Sequence, residues 1–271
     1  MKYKMIVLDM DDTLLTSDNE ILPSTKEALL KAQQLGVKVV LASGRPTGGM
    51  MDAALQLQLD KFDSFIISYN GAAIYDMANA RFVEKTYVDS TQFKEIVAFL
   101  RNENIMALSY KDNKIYYEGT SEYEHVEGEL TGLEMVKTTD LLKMIQTDVP
   151  KVMGVGNIDH ISKLNNKLNG KFGEQIHATT SKPFFLEFMN KDVSKGKVLA
   201  RFLQHLNINT EEIIAFGDSN NDKDMLEVVG LGVAMGNATD TIKSVADIIT
   251  LDHNEDGIYK IIDEYIINKH K

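Results

Sequence analysis

Two carboxylates, Asp9 and Asp11, stand one residue apart at the end of the first apolar run of the chain, Tyr3-Lys4-Met5-Ile6-Val7-Leu8. The run reads as a strand. Like charges that close raise each other's cost of ionisation. A fold keeps such a pair where a cation or a proton-transfer task compensates. The position constrains the architecture as well, because open α/β sheets bind ligands just beyond the carboxyl ends of their strands.

The rest of the sequence follows the rhythm such a sheet needs. Residues 25–35 read as a helix, with Ser24 and Glu27 spaced as a capping box and Gly36 placed to end it. Residues 37–42 are apolar apart from Lys38, as expected of a parallel strand buried on both faces. Residues 46–58 read as a second helix and 65–69 as a third strand. The alternation resumes near the other end, with helices over 194–206, 222–229 and 255–268 and strands over 213–216, 231–235 and 247–251. Between the two halves the pattern changes. Residues 105–110 and 114–118 suggest a hairpin around Lys111-Asp112-Asn113, followed by helices near 139–147 and 158–168 and strands over 151–156, 175–180 and 184–189. The fold class expected is α/β: a Rossmann-like parallel-sheet core formed by 1–83 and 191–271, with an α+β cap domain inserted over 84–190.

Composition narrows the partners. A net charge of −11 disfavours nucleic acid and anionic membrane, both of which need a basic surface. It leaves a phosphorylated small molecule open, since a bound metal ion reverses the field locally. The absence of cysteine removes disulfides, thiolate nucleophiles and thiolate metal sites. No leader is evident and no apolar stretch approaches the ~20 residues that span a bilayer, so a cytoplasmic location is expected. The six histidines show no ligand spacing, and the 13 methionines read as core filler. Glu122, Glu124, Glu127 and Glu129 read as a solvated acidic face.

Four segments fall at strand ends or helix starts where one ligand could meet them all. They are Asp9 with Asp11, Ser43-Gly44-Arg45, Ser194-Lys195-Gly196, and Gly217-Asp218-Ser219-Asn220-Asn221-Asp222. Together they offer the parts of a phosphoryl-transfer site. Asp9, Asp11 and Asp218 are hard oxygen donors of the kind Mg²⁺ prefers. Ser43 and the Gly44 N–H can hold phosphate oxygens, and Lys195 supplies a point charge. One carboxylate can take the phosphoryl group while the other moves a proton. Lys197 is a rival for Lys195.

In order and spacing these segments resemble the four motifs of the haloacid dehalogenase-like phosphatases. The chain is similar, over essentially its whole length, to the Cof-type sugar-phosphate phosphatases among them. Tyr69-Asn70-Gly71-Ala72 and Val233-Ala234-Met235-Gly236-Asn237-Ala238 share in that likeness. The resemblance implies Asp9 as nucleophile and Mg²⁺ ligand. It implies Asp11 as acid and then base, binding metal through its carbonyl. Asp218 and Asp222 follow as further metal ligands. Met10, Ser43, Gly44, Lys195 and Asn221 follow as phosphate holders, with Arg45 as a substrate contact. Asp12 departs from the pattern, because many relatives carry Gly there. Asp9 and Ser43 are 34 positions apart, too few for a cap, whereas 152 positions separate Ser43 from Lys195. That spacing implies a large cap between the second and third motifs, of the kind that closes over the site and selects the leaving group.

The expectation is a Mg²⁺-dependent phosphatase of small phosphate esters, with no nucleic-acid or membrane partner. A sugar phosphomutase with a similar cap and a non-catalytic module carrying phosphate on aspartate are the competing readings. A halide-releasing hydrolase has no need of Asp11. The sequence fixes neither the substrate nor the oligomeric state.

Overall fold

A computed structural model of the chain describes residues 2–165, 168 and 170–270. The chain divides into two compact units, one formed by Met1–Glu84 with Ser194–Lys271 and the other by Lys85–Val193.

The first unit starts with β1 (Met5–Leu8), α1 (Pro23–Gln34), β2 (Lys38–Ala42), α2 (Met51–Gln56), β3 (Phe65–Ser68), β4 (Ala73–Asp76) and β5 (Arg81–Lys85). The second unit contains α3 (Ser90–Asn102), β6 (Met106–Lys111), β7 (Lys114–Glu118), α4 (Val126–Thr131), β8 (Met135–Lys137), α5 (Leu141–Met144), β9 (Val152–Val155), α6 (Ile158–Asn165), β10 (Ile176–Thr179) and β11 (Phe185–Asn190). The chain then returns to the first unit with α7 (Lys195–Leu206), β12 (Ile213–Gly217), α8 (Lys223–Val228), β13 (Leu231–Ala234), α9 (Asp240–Val245), β14 (Ile248–Ile249) and α10 (Gly257–Ile262).

The first unit is built on one sheet in the order β14-β13-β12-β1-β2-β3-β4-β5. Strands β14 to β3 pair in parallel, and β4 turns back antiparallel on β3. Alternate side chains fill two separate cores, since successive residues of a strand face opposite ways. Ile6 and Leu8, Val39 and Leu41, and Ile214 and Phe216 pack with Leu29, Ala32, Ile258 and Ile262 from α1 and α10. Met5 and Val7, Val40 and Ala42, and Ile213 and Ala215 pack with Val198, Leu199, Met225 and Ile242 from α7, α8 and α9. Burial on both faces explains the unbroken apolar runs. From β1 the chain builds outward through β2 and β3, and later outward the other way through β12, β13 and β14. The order reverses at β1, which is where such sheets open a crevice for ligands.

The sheet of the second unit has the order β10-β11-β9-β6-β7-β8, antiparallel except for β7 with β8. Phe93, Ile96, Val97 and Leu100 of α3 and Ile161 of α6 cover one face, against Ala107, Val152, Leu186 and Phe188. Asp89 caps α3, its carboxylate accepting from the N–H groups of Thr91 and Gln92 at 2.8 and 2.9 Å. Tyr110, Met153 and Glu187, at the opposite parity, lie on the other side of the sheet.

The architecture is the α/β core with an α+β insert expected above, and the local departures are instructive. The capping box at Ser24 does not form: Leu22 is the N-cap, Pro23 takes the first turn, and the Ser24 hydroxyl donates to Asp256 instead. A proline one residue ahead starts the helix early and moves Ser24 inside it. Helix 46–58 is a short 3₁₀ turn, Thr47–Met50, followed by α2. The closing helix is α-helical only to Ile262 and then widens into a π-turn over Asp263–Ile267. Helices α3, α4 and α9 and strands β4, β5 and β8 are not among the elements anticipated from the sequence. Glu127 is not solvated but buried, its carboxylate taking the Tyr110 hydroxyl. The 158–168 helix falls partly outside the described residues.

Candidate active site

β1 delivers Asp9 at its carboxyl end, and the Asp9 N–H still donates to the Phe216 carbonyl of β12 at 3.1 Å. The chain then turns sharply through Met10–Leu14. Asp11 is extended there (ψ 130°) and Asp12 left-handed (φ 55°). Asp9 is buried, whereas Asp11 and Asp12 are exposed.

β12 delivers the second carboxylate group. Asp218 is buried and accepts from the Thr13 hydroxyl at 3.0 Å. Asp222, fully buried, folds back so that one oxygen accepts from the N–H groups of Asp218 and Ser219, each at 3.1 Å. This close return requires Gly217, because a Cβ there would lie 2.5 Å from the Asp222 Cβ.

Lys195, at the first position of α7, has no exposed surface, and Ser194 caps the helix beside it. Its ammonium lies 2.5 Å from Asp9 Oδ1 and 2.6 Å from Asp222 Oδ1. Burial opposes the lysine's charge, but Asp222 and Asp9 outweigh it and raise its pKa, so it stays protonated. Lys197, the rival, is exposed, and its backbone N–H donates to Ser194 Oγ at 3.3 Å.

Asp9, Asp218 and Asp222 each bring a carboxylate oxygen within 4.8 Å of the others. Three acidic groups against one ammonium leave two negative charges uncompensated in a buried place. Crowding of this kind raises carboxylate pKa values. Burial, then the Asp222 charge, push Asp9 well above the usual carboxylate range, against the pull of Lys195. Burial and Asp222 push Asp218 up to about 6. A divalent cation with a taste for hard oxygen donors fits both the donor set and the missing charge.

The remaining candidates gather nearby in the same unit. Ser43 is buried at the end of β2, and its Oγ accepts from the Arg45 N–H at 3.1 Å. Asn221 donates to Asn70 Oδ1 at 3.1 Å. Arg45 does not stand open to solvent: its guanidinium grips Asp11, with Nη2 at 2.6 Å from Oδ1 and Nε at 3.0 Å from Oδ2.

Several participants were not singled out from the sequence. Thr13 orients Asp218. Asn237 donates to the Asp12 carbonyl at 2.7 Å and accepts from the His253 N–H at 3.1 Å. His253 Nε2 lies 3.5 Å from Asp12 Oδ1. Asn70 and Asn237 sit in segments that carried the resemblance, and Thr13 closes the first motif, Asp9-Met10-Asp11-Asp12-Thr13, so a signal existed for all three; His253 had none.

Residues 6–262 match the haloacid dehalogenase-like hydrolase family. The chain is 30% identical over 282 residues to the phosphatase YwpJ of Bacillus subtilis, covering 94% of this chain and 97% of that protein. It is 27% identical to the pyridoxal phosphate phosphatase YbhA of Escherichia coli, over 98% of this chain and 100% of that protein. A crystal structure of a haloacid dehalogenase-like hydrolase from Bacteroides thetaiotaomicron matches with a TM-score of 0.91 at 33% identity. That match covers 97% of this chain and 99% of the other.

Proposed function

The chain belongs to the haloacid dehalogenase-like hydrolases and is a phosphatase of their Cof type, and on that footing we propose that it hydrolyses phosphate esters of small metabolites, sugar phosphates among them, with Mg²⁺ and through an aspartyl-phosphate on Asp9. The observation that carries the reading is the buried Lys195 ammonium shared by Asp9 and Asp222 beside Asp218.

In this mechanism an Asp9 carboxylate oxygen attacks phosphorus as the bond to the ester oxygen breaks. Asp11 gives that leaving oxygen its proton. Asp11 then takes a proton from water, whose oxygen attacks phosphorus, releasing inorganic phosphate and restoring Asp9. Lys195, Ser43, the N–H groups of Met10 and Gly44, and Asn221 hold the phosphate oxygens. Asp9, Asp218, Asp222 and the Asp11 carbonyl would hold Mg²⁺, which offsets charge on the carboxylates and the transferring group. The Lys195 ammonium, fixed by two carboxylates before substrate arrives, needs no reorganisation to meet the developing charge.

The test is purified protein with Mg²⁺ on a panel of phosphate esters, with phosphate release and product identity both measured. Phosphate release that EDTA abolishes and Mg²⁺ restores is the expected result. Isomerised sugar phosphate without free phosphate would favour a mutase. A stable phosphoprotein without turnover would favour a signalling module.

A further inference from the structure

Tyr69, Asn70 and Gly71 form a turn in which three successive residues have positive φ, at 53°, 57° and 107°. Such angles are costly for a residue as bulky as tyrosine and persist only where surroundings impose them. The surroundings are the segments of the phosphate site. The Tyr69 N–H donates to the Arg45 carbonyl and the Asn70 N–H to the Ser43 carbonyl, each at 2.9 Å. Gly71 is pressed against the start of α7: a Cβ there would lie 2.9 Å from the Ser194 carbonyl oxygen and 2.9 Å from Val198.

The Asn70 side chain completes the link. The O/N edge of its carboxamide packs against Gly44, since a Cβ at Gly44 would be 3.2 Å from Oδ1 and 3.3 Å from Nδ2. Its Oδ1 accepts from Asn221 Nδ2 at 3.1 Å. One amide thus touches two proposed phosphate holders from different strands, β2 and β12. Asparagine suits the place because it tolerates the left-handed backbone and offers an acceptor.

We infer that Asn70 is a positioning residue: through Oδ1 it aims Asn221, and through the amide edge packed on Gly44 it holds the Gly44 turn, so that both meet the same phosphate. The inference rests on the phosphatase reading above. It separates two things the turn could do. The backbone shape serves the fold, whereas the amide serves phosphate binding.

Asn70→Gly keeps the left-handed backbone and removes only the amide, and a double-mutant cycle with Asn221→Ala tests the route. Each single variant is expected to raise KM for p-nitrophenyl phosphate and the inhibition constant for inorganic phosphate about tenfold, with kcat within about threefold. The double variant should be no worse than either single one. An Asn70→Gly variant with unchanged constants, or effects that multiply in the double variant, would overturn the inference. Should Asn70→Gly fail to fold, Asn70→Asp keeps the turn and the acceptor. Adding Asn221→Ala to it should then weaken phosphate binding by the same factor as in the wild type, and loss of that factor would overturn the inference. Turnover by the wild-type protein decides the phosphatase reading first, so a wild type that turns over beside an unaltered Asn70→Gly variant removes the role of Asn70 alone.

Discussion

Asp12 occupies a left-handed position at φ 55°, where a side chain is tolerated chiefly in Asn, Asp and Gly. Its carbonyl is pinned by Asn237, and its exposed carboxylate looks toward His253 Nε2 at 3.5 Å. The carboxylate is exposed, its charge adds to those that raise the Asp218 pKa, and the backbone angle is the local constraint. Asp12→Gly should keep turnover within about threefold, whereas Asp12→Val should cost about 1–2 kcal/mol of stability. Urea unfolding and initial rates on the two variants check this, and a stable Val variant would contradict it. Arg45 makes a second prediction at this scale. Its guanidinium grips Asp11, and in the proposed mechanism that grip would aim the proton donor. Arg45→Ala should then slow alkyl phosphates by about 10²-fold while sparing p-nitrophenyl phosphate, whose leaving group needs no proton. Equal losses on both substrates would return Arg45 to simple phosphate binding.

At the scale of elements, the sheet of the second unit carries a buried ionic cluster on the side away from α3. Lys151 Nζ lies 3.4 Å from Glu187 and 3.8 Å from Glu127, and the Ser181 hydroxyl donates to Glu187 at 2.6 Å. Burial first, then the Glu187 charge, raise the Glu127 pKa despite Lys151 and Tyr110. A raised carboxyl pKa means that the folded state binds this proton more tightly than the unfolded one. The stability it contributes is complete below the unfolded value of about 4.3 and is lost as pH rises through the folded value. The unfolding free energy of the wild type minus that of Glu127→Gln should therefore fall as pH rises from about 4.3. A rising difference in urea melts over that range would contradict the assignment.

The same scale shows what a sequence makes legible. Strands β1, β2 and β12 were readable because burial on two faces demands unbroken apolar runs. The four motif segments were readable because each follows such a strand or begins a helix. Helix α3 was readable too, from Asp89 and the spacing of Phe93, Ile96, Val97 and Leu100, although it was not anticipated. Glu127 was not readable, since a glutamate among three others gives no sign that Tyr110 and Lys151 will meet it after folding. The Ser24 cap failed for a local reason, the proline ahead of it. The grip of Arg45 on Asp11 and of Asn221 on Asn70 depends on loops distant in sequence, and no local pattern encodes them.

At the scale of the molecule, the unit Lys85–Val193 has a core of its own, drawn from α3, α6 and the inner face of its sheet. Its first and last segments are tied within it: Val88 and Val149 exchange backbone hydrogen bonds of 2.9 and 3.0 Å, and Asn190 donates to the Tyr87 carbonyl at 3.4 Å. A unit of this kind meets the description of a domain able to fold alone. The isolated segment 85–193 should give a cooperative urea transition, and a gradual, featureless one would contradict its independence. Among the described residues no helix is long and apolar enough to cross a membrane.

In the proposed mechanism Asp9 carries the phosphoryl group. Asp11→Asn should slow the water step more than the first step for a substrate with a good leaving group, so the intermediate should accumulate. The direct measurement is to mix Asp11→Asn protein with Mg²⁺ and p-nitrophenyl phosphate, quench, reduce with borohydride and map the product by mass spectrometry. An acyl phosphate is reduced to an alcohol, whereas a free carboxylate is not. Homoserine at position 9 is expected in samples quenched during turnover and none without substrate. Reduction at another carboxylate, or none anywhere while phosphate is being released, would contradict it.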